Sequence, residues 1–269
     1  MRLKIISLLI AMLITIPAFL QTKQMETDSL NGNKMALSVT AQKAIAAYGG
    51  DSIWKQYNFI EAEVSANGLA FKMKKRPAFN HAIITMQIHK PCSSITPIGT
   101  DSSLTGVLEG GDVFIVNKQN DTLASRKNAR DFFPGWKKMF RWDDLDMAYF
   151  ANYAFWNYFT LPNLLMDSTI IWTETQPGTL IAEFPSTIPT HSPKQEFIFD
   201  TISGLLIQHN YTVDIIGKWS RAANVIYQHD HAQVLFTTHR VVTPRKKNGK
   251  PRPKPVLIEI TVHQFELKN

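Results

Sequence analysis

Residues 142–166 read WDDLDMAYFANYAFWNYFTLPNLLM, in which Pro162 ends or kinks any helix. Asp143, Asp144 and Asp146 stand at the start, where carboxylates favour the positive end of a helix. A run of aromatic residues then occupies all sides of the helix: Tyr149, Phe150, Tyr153, Phe155, Trp156, Tyr158 and Phe159. A helix of this kind has no polar face to turn to solvent. The sequence therefore predicts an aromatic helix that a β-sheet encloses or that covers the sheet.

The segments on both sides of this helix have the period of two that is typical of β-strands. Ile60, Ala62 and Val64 alternate with polar residues, which predicts a strand with one buried face. Asn67-Gly68 is typical of a hairpin turn and predicts that residues 69–74 form the next strand. Further strands are predicted at 82–89, 113–118, 170–174, 179–184, 195–200, 205–213, 224–231, 234–242 and 256–265. Because most of them follow one another without a helix between them, we expect an antiparallel meander.

A short helix is predicted before the first strand. Ser38 can accept hydrogen bonds from the free amides at its start, and Gly49-Gly50 can take the left-handed turn at its end. The chain has 269 residues, of which 44% are hydrophobic, enough for a large core. Its sequence shows no repeat or dividing linker, and its one cysteine excludes a disulfide framework. We expect a single domain over residues 38–269 with a helical insertion at 127–166.

The N-terminus has the pattern of a secretory signal peptide. A basic start at residues 1–4 precedes the apolar residues 5–20, which would make a helix of about 24 Å, short for a bilayer core of about 30 Å. Residues 1–22 are therefore predicted to be a signal peptide, with an uncleaved anchor as the alternative, and residues 23–37 a flexible lead-in. Cys92 lies too far away to be a lipid-attachment cysteine. We expect an exported protein, periplasmic or peripheral to a membrane.

The positive charge of the chain is concentrated in one loop. The formal net charge is +7, and residues 245–254 carry much of it: Arg245, Lys246, Lys247, Lys250, Arg252 and Lys254. Such a loop can contact an anionic membrane surface, and a solvated hairpin tip is the alternative. No nucleic-acid partner is expected, because export removes that partner and no stacking motif accompanies the charge.

Several short motifs of this chain match those of a known group of bacterial proteins. They are Tyr48-Gly49-Gly50 with Trp54, and Phe197-Ile198-Phe199-Asp200 turning at Ser203-Gly204 into His209-Asn210-Tyr211. With them the chain resembles the bacterial lipoprotein-carrier superfamily, which includes carriers of the LolA type and receptors of the LolB type. It most resembles uncharacterised exported members, through Trp142-Asp143-Asp144-Leu145, Ala148-Tyr149-Phe150, Trp156-Asn157-Tyr158 and Thr190-His191-Ser192.

The resemblance covers about residues 38–265 and implies a mainly β fold with helices (α+β). The family fold is a curved antiparallel sheet, or half-open β-barrel, with a helical lid or plug over an apolar cavity that receives acyl chains. Residues 38–269 are accordingly expected to form one β half-barrel domain.

An aromatic helix on the concave face of a curved sheet favours an apolar pocket, and a fully packed core is the alternative. The predicted ligand is a lipid, a lipoprotein acyl chain or a similar hydrophobic small molecule, bound without a cofactor or metal. Tyr and Trp suit such a ligand because they offer large surfaces with a polar tip. The predicted ligand-binding residues are Trp142, Tyr149, Tyr153, Trp156, His191, His209 and Tyr211. Among them, His191 or His209 is expected to meet the polar head group.

A second hypothesis is an enzyme that acts on a hydrophobic substrate in the same pocket. His191, Asp230 and His231 would be its catalytic residues, with acid–base or metal-assisted chemistry. His229 and His231 share one strand face at a spacing that suits zinc, provided that His191 or His209 converges on them. Cross-strand packing explains the same pattern without a metal. The sequence has no phosphate loop, nucleophile elbow or His-Glu-x-x-His motif, so this hypothesis depends on convergence in three dimensions.

Overall fold

The computed structural model describes residues 37–269, so the predicted signal peptide (1–22) and all but the last residue of the predicted lead-in lie outside it. The strands are β1 Phe59–Asn67, β2 Phe79–Gln87, β3 Cys92–Thr96, β4 Thr105–Glu109, β5 Asp112–Val116, β6 Thr122–Arg126, β7 Ile171–Gln176, β8 Thr179–Glu183, β9 Lys194–Phe199, β10 Leu206–Thr212, β11 Arg221–His231, β12 Leu235–Pro244 and β13 Ile258–Lys268. The α-helices are α1 Val39–Ala47, α2 Asp51–Gln56, α3 Leu69–Lys74, α4 Asp144–Phe159 and α5 Leu161–Met166. Two 3₁₀ helices, Ala129–Phe132 and Trp136–Met139, precede α4.

All strands belong to one antiparallel sheet. Its order is β6-β5-β4-β3-β2-β1-β13-β12-β11-β10-β9-β8-β7, so two meanders are joined where the first strand pairs with the last. The strands β6 and β7 lie at the two ends of this order, and the sheet is therefore open rather than closed. The predicted meander is confirmed.

Helix α4 shows that the sheet is strongly curved. Its Asn152 donates a hydrogen bond to Gly106 O on β4 at 3.0 Å, while the rings of its Tyr158 and of His209 on β10 are 6.0 Å apart. In a flat sheet β4 and β10 would be about 34 Å apart, because seven strand spacings separate them. Asn152 and Tyr158 are only about 9 Å apart along the helix. The sheet therefore wraps around α4, as the aromatic composition of this helix predicts.

The start of α4 is held by its acidic residues. The Asp143 side chain accepts from Asp146 N at 2.8 Å, and Asp146 accepts in return from Asp143 N at 3.0 Å, which forms a capping box. At the other end the helix stops at Phe159, and Pro162 lies in the first turn of α5, where its missing N–H costs no hydrogen bond. The helix predicted to end or kink at Pro162 thus ends at Phe159, just before this proline, and a second short helix follows.

The predicted hairpin at Asn67-Gly68 is wrong, because residues 69–74 form helix α3 instead of a strand. The amides of Leu69 and Ala70 donate to Val256 O and Leu257 O at 3.2 and 2.9 Å, so the segment before β13 satisfies the helix start. Gly68 has φ +134°, and a Cβ there would lie 2.5 Å from Leu257 O. The glycine is needed for this close approach of two backbones and not for a turn.

Three short strands were missed by the alternation pattern. The strands β3 and β4 have only five residues each, with small or polar members, and β6 is an edge strand whose residues are almost all exposed. The helix predicted after Ser38 is present, with Ser38 accepting from Ala41 N at 3.2 Å. Within residues 37–269, none of the helices combines the length and the apolar character that crossing a membrane requires.

Candidate functional site

A cavity of about 330 Å³ lies between helix α4 and the sheet. One face of α4 borders it, through Phe150, Tyr153, Ala154, Asn157 and Tyr158. Opposite this face are residues of β10 to β13, among them Tyr211, Ala222, Val242 and Ile258. The third wall consists of α3 and the segment 129–142, which contains both 3₁₀ helices and is called the lid segment below. The core is therefore not fully packed, and the predicted pocket is present.

Most of the predicted ligand-binding residues border this cavity. They are Trp142, Tyr153, His191, His209 and Tyr211. They come from four different parts of the chain: the lid segment, helix α4, the loop before β9, and strand β10. The curvature of the sheet brings them together.

Two of the predicted ligand-binding residues, Tyr149 and Trp156, do not line the cavity. They are seven residues apart and share a side of α4 next to its cavity face, where both are buried. Trp156 Nε1 donates to Gln87 O at the end of β2 at 2.7 Å. Tyr149 packs against Phe133 and His191 with ring centroids 5.6 and 5.5 Å apart. Both side chains stabilise the cavity wall rather than forming its surface.

His191 is buried, and its position is fixed by its neighbours. Its Nδ1 is 2.9 Å from the hydroxyl oxygen of Tyr153, and its ring packs edge-on against Phe133 at 4.4 Å. The main-chain oxygen of His191 accepts a hydrogen bond from Asp214 N at 2.9 Å. The main-chain oxygen of Thr190 accepts one from Arg130 Nε, also at 2.9 Å. The Nε2 atom of His191 is buried without a hydrogen-bond partner in the described chain. The hydrogen-bonding capacity of this nitrogen is therefore not satisfied within the described residues.

His209 belongs to a hydrogen-bonded chain that leads back to the same loop. Its Nε2 donates to Gln195 Oε1 at 2.5 Å, and Gln195 Nε2 donates to Ser192 O at 2.7 Å and to Thr190 Oγ1 at 3.1 Å. The His209 ring also stacks on Phe197 at 4.2 Å with an angle of 13°. The imidazole is therefore held on both its edge and its face, and it presents a fixed surface to the cavity.

Burial keeps both histidines uncharged at neutral pH. Removal from water, together with the nearby positive charges of Arg130 and Lys74, lowers the pKa of His191 to about 3. Burial and the charge of Arg240 likewise lower the pKa of His209 to about 3. The two imidazoles therefore act in this cavity as neutral hydrogen-bonding groups rather than as cations.

The lid segment is attached to α3 and α4 by charged groups. Lys74 Nζ donates to Lys138 O and Met139 O at 2.7 and 2.9 Å and lies 4.7 Å from the centre of the Trp142 ring. Burial lowers the pKa of Lys74 to about 8. On the other side, the fully buried carboxylate of Asp146 contacts Lys138 of the lid segment and Arg126. These contacts place the lid segment over one side of the cavity.

The catalytic residues of the enzyme hypothesis are not brought together around the cavity. His191 lines it, whereas Asp230 and His231 are exposed residues at the end of β11 and do not line it. His229 is half-buried and bonds to the Tyr48 hydroxyl at 3.1 Å instead of facing a metal position with His231. In residues 37–269, no three His, Cys, Asp or Glu side chains are arranged to hold a metal ion. The geometry therefore offers no acid–base or zinc site from these residues.

Sequence reasoning missed two polar residues beside the cavity, Tyr158 and Arg240. Tyr158 lies on the cavity face of α4, and the guanidinium of Arg240 on β12 is 4.4 Å from the centre of its ring. Arg240 is 2% exposed. The sequence of β12 gave no clear signal for Arg240, because Thr237, Val241 and Thr243 on the other register of the strand are buried too.

No protein-family model matches the chain, and no curated protein sequence matches it. Solved structures do match. A LolA superfamily protein from Nitrosomonas europaea aligns with 86% of this chain and 95% of its own length, at 8% identity and a TM-score of 0.46. A putative outer membrane lipoprotein-sorting protein domain from Vibrio parahaemolyticus aligns over 86% and 91%, at 7% identity and a TM-score of 0.44.

A DUF1329 family protein from Desulfovibrio piger aligns with 86% of this chain and 92% of its own length, at 10% identity and a TM-score of 0.44. The matched structures thus include a LolA superfamily protein, the superfamily that the motifs of this chain resemble.

Proposed function

We propose that this chain is an exported binding or carrier protein for a hydrophobic ligand, a lipid or a lipoprotein acyl chain, held between helix α4 and the sheet. The observation that carries the proposal is the cavity of about 330 Å³, lined mainly by aromatic and aliphatic side chains. Ligand sites typically have volumes of about 300–1,000 Å³, with a mainly apolar lining and a few polar groups. This cavity lies at the lower end of that range.

The charges around the cavity indicate which head group would be accepted. Lys74, Lys138 and Arg221 belong to the lining, and no Asp or Glu side chain does so in the described residues. The buried histidines add no charge, so an acyl chain would meet a neutral interior. An anionic or neutral head group at the cationic edge is therefore favoured over a cationic one. Apolar burial would supply about 25 cal/mol per Å², before the costs of association are subtracted.

Contact with an anionic membrane surface is the second part of the proposal. The basic loop 245–254 begins directly after Pro244, which lines the cavity. Trp219 also lines the cavity and is 66% exposed, and Trp136 in the lid segment is 71% exposed. Cations together with exposed tryptophans are the side chains that suit a lipid–water interface. Such a surface would allow a ligand to pass between the membrane and the cavity.

Binding of a fluorescent fatty acid tests the proposed ligand class. Ala154 lines the cavity, so Ala154→Trp would fill part of it, and we expect a loss of affinity of roughly tenfold or more. Ala124→Trp on the exposed edge strand β6 adds the same side chain away from the cavity and should bind as the wild type does. The proposal is wrong if the wild-type protein does not bind, or if Ala154→Trp folds and binds with unchanged affinity.

A further inference from the structure

Arg240 is buried without a counter-charge. It lies near the middle of β12, is 2% exposed, and forms no salt bridge with any carboxylate in residues 37–269. One of its nitrogens, Nη2, donates to Thr237 Oγ1. Its Nε and Nη1 atoms are buried with no partner in the described chain. The contact of its guanidinium with the Tyr158 ring compensates only part of this charge.

An unpaired buried cation is strongly unfavourable. Arginine stays protonated at any physiological pH, so it cannot lose its charge as a buried lysine can. Removal of an ion from water is strongly unfavourable unless an opposite charge and hydrogen bonds replace the water. Two free N–H groups and one uncompensated positive charge at the same place are the recognition elements of an anion site.

A second cavity beside Arg240 is the right size for such an ion. It has a volume of about 20 Å³, and its lining includes Tyr48, Tyr158, Thr237 and Arg240. A space of about 10–15 Å³ on this measure already holds one water molecule. A halide or the end of a carboxylate fits, whereas phosphate and sulfate, with five heavy atoms, do not.

Another buried polar side chain lies on the same face of the sheet. Asn224 on β11 pairs with Val242, and Ile226 pairs with Arg240, so Asn224 and Arg240 are diagonal neighbours on one face. The Asn224 side chain is fully buried and interacts with the Tyr158 hydroxyl. It does not line the small cavity, so the donors of the site are those of Arg240 itself.

The titratable groups packed around Arg240 do not supply a negative charge. Burial raises the pKa of Tyr48 to about 12. Burial also raises the pKa of Tyr158 and, to a greater degree, that of Tyr211. His229, whose pKa burial lowers to about 4, and His209 are neutral at pH 7. The counter-charge must therefore come from outside the described chain.

We propose that Arg240 binds a buried monovalent anion of one to three heavy atoms, a halide or a carboxylate group, with Nε and Nη1 as the principal donors. The anion is either a free ion or the carboxylate end of a fatty acid whose chain lies in the larger cavity. Tyr158 lines both cavities and separates them, so its side chain would control the passage between them. The anion site itself does not depend on the proposed carrier function.

The test measures the unfolding temperature of the intact protein at constant ionic strength while sodium methanesulfonate, whose anion has five heavy atoms and carries no carboxylate, is replaced by sodium bromide or formate. An anion present at a hundredfold excess over its Kd increases the ratio of folded to unfolded protein about 100-fold. This change raises Tm by roughly 5–10 °C. We expect this rise in the wild type and in the control Arg252→Met, which removes one exposed cation. Arg240→Met, which keeps much of the apolar volume, should not show it.

A second arm distinguishes the two sources of the anion. If palmitate stabilises the wild type but methyl palmitate, bromide and formate do not, the anion is the head group of a fatty acid. If bromide or formate stabilises it, the anion is a free ion, and bromide should give an anomalous scattering peak beside Arg240 in crystals even where Arg240→Met does not fold. The proposal is overturned if none of these anions raises the Tm of the wild type, or if Arg240→Met responds as the wild type does.

Discussion

The hydroxyl of Tyr153 and the Nδ1 atom of His191 are 2.9 Å apart and join the central helix α4 to the loop between β8 and β9. Both groups are buried and both line the main cavity. A second contact joins the same two elements, since Asn157 Nδ2 on α4 donates to Pro189 O of this loop at 3.2 Å. The cavity wall at this point therefore depends on polar contacts between two elements that are 38 residues apart in the sequence.

Tyr153→Phe removes this contact without changing the shape of the ring. His191 Nε2 already lacks a partner, so the variant leaves both nitrogens of a buried imidazole unsatisfied. We expect the free energy of unfolding to fall by about 1–3 kcal/mol. Urea unfolding measures this loss, and the control is Tyr227→Phe, which removes the hydroxyl of an exposed tyrosine on β11. Equal stability of the two variants would show that the contact does not stabilise the fold.

The stability of the protein should decrease as the pH falls below about 6.5. His191 and His209 have pKa values of about 3 in the folded protein, against about 6.5 in the unfolded chain, so between these values the unfolded chain binds more protons. Each histidine then lowers the free energy of unfolding by up to about 1.4 kcal/mol per pH unit. Above pH 6.5 this contribution is constant, because both states are neutral.

Urea unfolding between pH 4.5 and 7.5 checks this dependence, in a range mostly above the titration of exposed carboxylates. His209→Gln can still donate to Gln195 and does not titrate. The free energy of unfolding of this variant should therefore depend less steeply on pH than that of the wild type, because the contribution of one buried histidine is missing. His231→Gln, at an exposed position, should keep the wild-type slope. A wild-type stability that does not change over this range would contradict the burial of neutral histidines.

The antiparallel strands and the aromatic helix were predictable because both depend on local periodicity, whereas the curvature of the sheet was expected only from the family resemblance. Ile60, Ala62 and Val64 alternate as a half-buried strand must, and the residues of α4 have no polar face. The helix at 69–74 was not predictable in this way. Its first amides bond to residues 256 and 257, nearly two hundred positions away, and no local signal announces that contact. Tertiary hydrogen bonds replaced the hairpin that Asn67-Gly68 favours.

Which residues line the cavity could be predicted only in part from the sequence, for a similar reason. Aromatic content showed that α4 would be enclosed, but the sequence does not show which side of α4 faces empty space. Tyr153 and Trp156 were both predicted to bind a ligand, and only Tyr153 lines the cavity. The choice depends on where α4 lies relative to β2 and β10, which the curvature of the whole sheet determines.

Asp146→Asn tests the attachment of the lid segment. The carboxylate is fully buried between Arg126 and Lys138, so its neutral replacement weakens the contact with Lys138 while an amide oxygen can still serve the capping box. We expect faster hydrogen exchange at Trp136–Met139 and faster ligand dissociation, with α4 retained in circular dichroism. Asp131→Asn, at an exposed carboxylate of the preceding 3₁₀ helix, is the control. Unchanged exchange at Trp136–Met139 would show that the ion pair does not hold the lid segment.

Removal of charge from the basic loop tests the proposed membrane contact. Five of its six cations are exposed, among them Lys246, Lys247, Lys250 and Arg252, and each cation near an anionic surface contributes about 1 kcal/mol. Replacing these four by Gln should therefore weaken sedimentation with phosphatidylglycerol vesicles by roughly a thousandfold at low salt, and less at high salt.

The matched control carries the same four-charge change on exposed lysines elsewhere in the chain. Its substitutions are Lys43→Gln, Lys55→Gln, Lys118→Gln and Lys194→Gln. If the loop is the contact, this control loses much less affinity than the loop variant, although both have the same net charge. An equal loss in both variants would indicate attraction by net charge alone, and no loss in either would exclude the basic loop as the membrane contact. Fatty-acid binding in solution should be unchanged in the loop variant, because these side chains do not line the cavity.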